Sequence, residues 1–355
     1  FYPPKSMTNK TMMFSSMTDP IISANAASNI RFENLTFESA RGIGIKLNNT
    51  RQMLIEKCVI KNIGQQAVTV TGSGNGIRDC YIHDIGKGGV YITGGDFTNL
   101  TPSGNYIENC RFERFSRIAR TYTPAAKLYG VGDRISHCTI NNAPHMAIYF
   151  MGNNNVIEYN DIYDVMQESL DSGAIYGGRD FTSCGNVVRY NKIHDCYGLD
   201  ADKKDNPSEI SVHGLYLDDS IGSMDIYGNT FYNLASGIFI HTGRSNRIYG
   251  NVFDNCYTSI DIINRSNGTR ENMDKLNAQY KNPPANWNDT LYVRYMAAPI
   301  GNETWSKSYP QLKEILTDDP IYPKYNTVEK NIVGNSGKIN ISMEVFPPKT
   351  SDTYE

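Results

Sequence analysis

The chain has 355 residues, 39% of them hydrophobic and 20% charged, which is enough to bury a sizeable core in one large domain or two. A net charge of −3 and the lack of any Lys/Arg cluster exclude a nucleic-acid partner, which would be gripped through its phosphates. No apolar run reaches the length of a membrane span.

The chain begins at Phe1, with neither an initiator Met nor a charged-then-apolar leader, and is read as a mature or trimmed product. Residues 1–28 are rich in Pro, Met, Ser and Thr, show no periodicity, and are expected to lie irregularly over the first repeat. From Asn29 a pattern recurs: NIRFENLTF, MLIEKCVI, GIRDCYI, YIENCRF, RISHCTI, VIEYNDI, VVRYNKI, DIYGNTF, RIYGNVF and TVEKNIV. Its key residues are Asn34, Cys58, Cys80, Cys110, Cys138, Asn160, Asn191, Asn229, Asn251 and Asn331. A spacing of 22 residues separates Cys58 from Cys80, Cys138 from Asn160, and Asn229 from Asn251. The longer spacings are that period with loops added, and the last holds an insertion over 264–326.

A unit of this length cannot hold a strand and a crossover helix, but it accommodates several short strands. The pattern therefore predicts an all-β fold: a single-stranded right-handed parallel β-helix of about ten coils over 29–346, with a frayed tail at 347–355. Asn at a fixed turn tolerates the left-handed region and can bond its counterpart one coil away. Cys in the same column would be a buried filler. Cys196 and Cys256, five residues beyond a ladder Asn, are expected to fill the core as well. The total of seven Cys cannot pair completely, and no zinc spacing occurs, so buried thiols are expected and no metal is assigned. ENMDKLNAQY and YPQLKEIL read as short helices inside the insertion.

Each coil ends in a third segment: QAVTV, GGVYI, HMAIYF, SGAIYG, HGLYL, SGIFI or TSIDI. With Ile148, Ile175, Leu215 and Ile238 inward, alternation sends Tyr149, Tyr176, Tyr216 and Phe239 outward. It also sends out Ala147, Ala174, Gly214 and Gly237 before them, and Met151, Gly178, Asp218 and His241 after them. The expected face is a trough floored by Gly and Ala, lined by aromatics and edged by Asp and His. On the same parity His145 faces out and His213 in, and no Lys falls on an outward strand.

Carboxylates on neighbouring coils sit about 4.8 Å apart along the stack, in the range where two acids can flank a glycosidic bond. The candidates are Asp171, Asp180, Asp218 and Asp219, with Asp180 and Asp218 the preferred pair; an Asp at a strand end equally often caps a turn. Arg179 and Arg244 each follow a Gly near a strand end, where a guanidinium can hold a sugar or pair with these acids. The Asp cluster also offers oxygen ligands of the kind calcium takes. Sequons begin at Asn9, Asn34, Asn48, Asn99, Asn264, Asn267, Asn288, Asn302 and Asn340, which suits a secreted glycoprotein from a eukaryotic source.

NNAPHMAIYF, LDSGAIYGGRDF, HGLYLDD, SGIFIHTGRSN and WSKSYPQLKEILTDDPIYP resemble segments of bacterial secreted β-helix proteins grouped with family 141 of the glycoside hydrolases. The resemblance spans about 130–335. It implies an extracellular, carbohydrate-active protein whose catalytic carboxylates are Asp180 and Asp218 or Asp219. Substrate contacts would come from His145, Tyr149, Asp171, Tyr176, Arg179, Tyr216, His241 and Arg244. The chain departs from the group at Leu170, Gly177 and Ser245, where Gly, Thr and Asp are common. Three functions compete at this level: a hydrolase using two carboxylates, a polysaccharide lyase using Arg179, Arg244 or His241, and a non-catalytic glycan-binding β-helix able to self-assemble through its edges.

Overall fold

The computed structural model describes residues 14–199, 211–264, 270–335, 338–341 and 349–351. Its strands pair in parallel throughout, grouped into an eleven-stranded and a nineteen-stranded sheet. The larger sheet folds into two faces, because strands Thr230–His241 and Val252–Ile263 run round its corner unbroken. Each coil thus contributes one strand to each of three faces of a parallel β-helix.

Stacking in register puts like on like. On the first face Ile55, Ile77, Ile107, Ile135 and Ile157 form an inward column that continues through Val188, Ile226, Ile248 and Val328. On the second face Ile60, Ile82, Phe112, Ile140, Ile162, Ile193, Phe231 and Phe253 do the same. The rings of Phe231 and Phe253 stack at 5.1 Å. β-branched side chains suit such a pleated, doubly stacked surface.

Between the first two faces runs the expected ladder. The side-chain amides of Asn160, Asn191, Asn229, Asn251 and Asn331 bond one to the next at 2.9–3.0 Å. Each side-chain oxygen also accepts the backbone N–H of the residue one coil earlier. Cys58, Cys80, Cys110 and Cys138 extend this column as buried thiols, and none of the seven cysteines is in a disulfide. The left-handed residue is not the ladder Asn but its predecessor, as at Tyr159, Tyr190 and Lys330. Asn34 belongs to that preceding column, and Leu35 takes the ladder position.

A second ladder accompanies it, five residues ahead of the first in the sequence. Asn75, Asn105, Asp133, Asn155 and Asn186 are linked side chain to side chain or side chain to backbone, and Asn246 bonds Asn326 at the far end. Asp133 stands where its neighbours are amides. Ser103 donates to its Oδ1, whereas its Oδ2 is shut from solvent with no partner, and burial pushes the carboxyl up to about 6.

Both ends of the stack are longer than the pattern suggests. Strand Ile22–Asn25 pairs with 45–48, so the first coil begins before Asn29. Strand Lys349–Ser351 pairs with 327–329, so part of the expected frayed tail belongs to the first face.

The insertion carries helices α1 (Arg270–Lys281), α2 (Thr290–Ala297) and α3 (Glu303–Ser308), then a 3-10 segment Pro310–Thr317. Asp289 caps α2 and Asn302 caps α3, each accepting an N–H three residues on. Trp305, Tyr280 and Leu312 bury themselves against Leu100, Phe181 and Cys184 of the coil loops. Trp305 Nε1 donates to the carbonyl of Phe97 at 2.9 Å. No helix among the described residues is long and apolar enough to cross a membrane.

Candidate active site

The third face carries one outward column through nine pairings: Ser23, Lys46, Thr69, Tyr91, Lys127, Tyr149, Tyr176, Tyr216, Phe239 and Asp261. Its tyrosines face out as alternation requires. The residues before them do not follow it. Ala147 and Ala174 are core residues, and a Cβ on Gly214 or Gly237 would press on the rings of Phe231 or Phe253 at 2.8 and 2.7 Å. Two consecutive residues point inward at this corner, where the chain bends between faces. The trough is therefore floored by aromatics rather than by Gly and Ala.

The same bend reverses His213. It lies outside, its ring stacked on Phe239 at 4.2 Å, and burial holds it down to about 3. His145 is buried beneath exposed Tyr122, with centroids 5.0 Å apart, and is held to about 4 by burial. Tyr216 is buried between Tyr176 and Phe239. Tyr149 and Tyr176 stack at 5.8 Å, and burial lifts the Tyr149 phenol to about 12.

At the end of this column four groups converge from three coils. Strand Ser172–Gly178 pairs with strand Val212–Asp218, placing Gly178 beside Asp218. A Cβ on Gly178 would meet the Cβ of Asp218 at 2.8 Å, so only glycine leaves room there. Asp218 accepts from Tyr176 Oη at 2.7 Å, and His241 Nδ1 lies 3.2 Å from its other oxygen. The same Nδ1 is 3.3 Å from Asp219, and Arg179 Nε is 3.1 Å from Asp219 and 3.9 Å from Asp218. Burial works against charge on Asp218, but the bonds from His241 and Tyr176 and the nearby cations outweigh it and hold the carboxyl below its usual value. Burial likewise works against a charged His241, and the two aspartates overcome it, raising the imidazole to about 9.

Backbone conformation marks the same corner. Earlier coils place Gly72, Gly94, Gly130 and Gly152 at the turn after this strand, stacked so closely that a Cβ would strike the backbone of the coil beside it. Continuing that register puts Arg179, Asp219 and Thr242 in the column, with φ of +63°, +38° and +61°. The same conformation recurs at other turns of the stack, as at Tyr159 and Tyr190.

Arg179 stands exposed between two openings. One, of about 270 Å³, is lined by Tyr122, Lys127, Tyr149, Tyr176, Gly178 and Arg294. The other, of about 150 Å³, is lined by Asp219, Ser220 and Thr242 from the coils and Asp289, Thr290 and Leu291 from the insertion. Asp219 reaches open space, whereas Asp218 is held behind it by Tyr176 and His241.

Several expected placements change. Asp180 does not face Asp218; its carboxylate accepts the N–H and hydroxyl of Thr182 at 2.9 and 2.6 Å, and burial raises it. The close carboxylates are instead Asp218 and Asp219, whose oxygens with His241 fall within 4.8 Å of one another. Arg244 is buried away from the cleft, paired with Asp318 of the insertion. Asp171 is exposed at the start of its strand. Lys127 does sit on an outward strand, contrary to the expectation that none would.

Calcium takes about six to eight oxygen ligands. The donor set does not suit it, since His241 and Arg179 already neutralise both carboxylates. Among the sequons, Asn9 and Asn267 lie outside the described residues. Asn34, Asn99 and Asn288 are exposed, and Asn264 is half-buried. The side chains of Asn48, Asn302 and Asn340 are hydrogen-bonded to Asn25, to the carbonyl of Thr98 and to Asp261.

No curated protein matches the chain. A solved structure named "Glycoside hydrolase" is similar at 17% identity and a TM-score of 0.39, over 61% of this chain and 38% of that one. The family model described as "Right handed beta helix region" matches residues 20–113 and 98–273. Those residues make up most of the stacked coils, and the chain belongs to the right-handed β-helix family.

Proposed function

We propose that the chain is an extracellular carbohydrate-active enzyme that hydrolyses a glycosidic bond over Asp218 and Asp219. The observation that carries this reading is the Asp218–Asp219 pair, its charge fixed by His241 and Arg179, with Asp219 lining one opening and Arg179 standing between it and the tyrosine-lined one. Asp219 is the carboxylate that meets the reacting sugar. Asp218 keeps His241 charged and Tyr176 in place, and the tyrosine rings offer flat faces to sugar rings.

Asp219→Asn tests this on a panel of plant and microbial polysaccharides, with products read by mass spectrometry. Cleavage by the wild-type chain should fall at least about a hundredfold in the variant, with the melting temperature unchanged. Cleavage that survives in Asp219→Asn refutes the assignment. Products carrying a new double bond would replace hydrolysis by elimination, and binding without cleavage would leave a recognition surface.

A further inference from the structure

The larger opening holds two cations that the carboxylate pair does not need. Lys127 takes the column position between Tyr91 and Tyr149, its ammonium 5.1 Å from the Tyr149 ring centroid, 5.3 Å from Tyr129 and 5.7 Å from Tyr91. Ring faces attract the charge but leave its N–H donors unspent. Arg294 enters from α2 and donates one Nη1 bond, 2.6 Å, to the carbonyl of Arg179, leaving most of its guanidinium fork unspent. Neither Lys127 nor Arg294 has an ion-pair partner among the described residues. The nearby acids are occupied, Asp218 and Asp219 by His241 and Arg179, and Asp180 by Thr182.

Burial holds the Lys127 ammonium below its usual range. Arg294 also acts on Asp180 through space, but a cleft for neutral sugar needs hydroxyl partners and ring faces, not two further cations beside Arg179. We propose that Lys127, Arg179 and Arg294 form an anion subsite, so that the glycan carries an acidic sugar, a carboxylate or sulfate ester, next to the bond presented to Asp219. The ring of that sugar rests against Tyr122, Tyr149 or Tyr176 while its anion meets the cations. This rests on the reading of the cleft as a glycan site and adds the class of glycan.

The test is calorimetric titration of the whole chain with four probes: tetragalacturonate, its methyl ester, a sulfated galactan tetramer and its desulfated form. One acidic probe should bind at least about tenfold more tightly than its neutral counterpart, as charge-assisted hydrogen bonds imply. That preference should vanish in Lys127→Met and Arg294→Met and persist in Lys127→Arg. Which acidic probe wins separates carboxylate from sulfate. If the Met variants do not fold, the preference in the wild-type chain and its loss at high salt decide the matter. Equal affinity for acidic and neutral forms, or no binding of any probe, overturns the proposal. Acidic preference without cleavage refutes hydrolysis and keeps the subsite; cleavage of neutral glycans without acidic preference does the reverse.

Discussion

Two columns of side chains climb the same stack of coils with opposite chemistry. In the ladder from Asn160 to Asn331 every coil supplies the same residue, and each amide both gives and receives. In the outward column of the third face the residue changes from Thr69 through Tyr91, Lys127 and Tyr149 to Asp261. The turn beside it exchanges glycine for Arg179, Asp219 and Thr242 in left-handed backbone. Register forces neighbours into contact in both cases. Where the neighbours are identical they satisfy one another; where they differ, they leave charge and open space for something else to use.

Breaking the regular column should cost the most. Asn229 is fully buried, donates to Val188 and Asn251 and accepts from Asn191, so Asn229→Ala strands several groups at once. A loss of about 3–5 kcal/mol in urea unfolding is expected, with turnover per folded molecule unchanged.

Repairing the second ladder should yield the next largest change, in the opposite direction. The folded Asp133 carboxyl titrates near 6, against about 3.9 in the unfolded chain. Folding therefore favours the protonated form, and stability is lost as pH rises from the lower value through the higher. Asp133→Asn should gain on the order of 2–3 kcal/mol at neutral pH and almost nothing at pH of about 4. Equal gains at both pH values would rule out the carboxyl as the cause.

His241 gives a smaller effect on the irregular side. Its folded value of about 9 exceeds the unfolded value of about 6.5, so its contribution is complete below the latter and disappears as pH rises through the former. His241→Gln should flatten the decline in stability across that window, as read from unfolding curves at several pH values. The smallest stability change belongs to Arg179→Gly. Glycine relieves the left-handed backbone while an exposed ion pair is lost, so stability should hold or rise by about 1 kcal/mol as turnover falls. A clear loss of stability there would mean that Arg179 serves the fold.

The repeating parts are legible in the sequence because repetition is a local signal. A 22-residue spacing of Asn and Cys, with apolar residues two apart, leads directly to the stacked columns of Ile and to buried thiols. The second ladder is equally open to detection, since its members stand five residues before the first, as Asn75 before Cys80 and Asn155 before Asn160. Asn34 falls one position off because in that coil the column holds Leu35 instead of Asn or Cys. Strict alternation misplaces His213, Gly214 and Gly237, since the corner turns two successive residues inward. Lys127 is open to detection: AAKLYG aligns with AIYFMG and puts Lys127 opposite Tyr149. Arg294 is not, because it arrives from 115 residues beyond Arg179 in a segment outside the repeat.

That segment leaves the stack after one coil and returns to the next, so Asn251 bonds Asn331 as closely as Asn229 bonds Asn251. The ladder closes over whatever lies in between, and the entropy of closing a longer or shorter detour grows only slowly with its length. One wall of the opening can thus be rewritten with the coils kept: exchanging 282–300 for another excursion, with Trp305, Leu312, Asp318 and Asn326 retained against the coils, would change what enters while the acids beneath stay where they are.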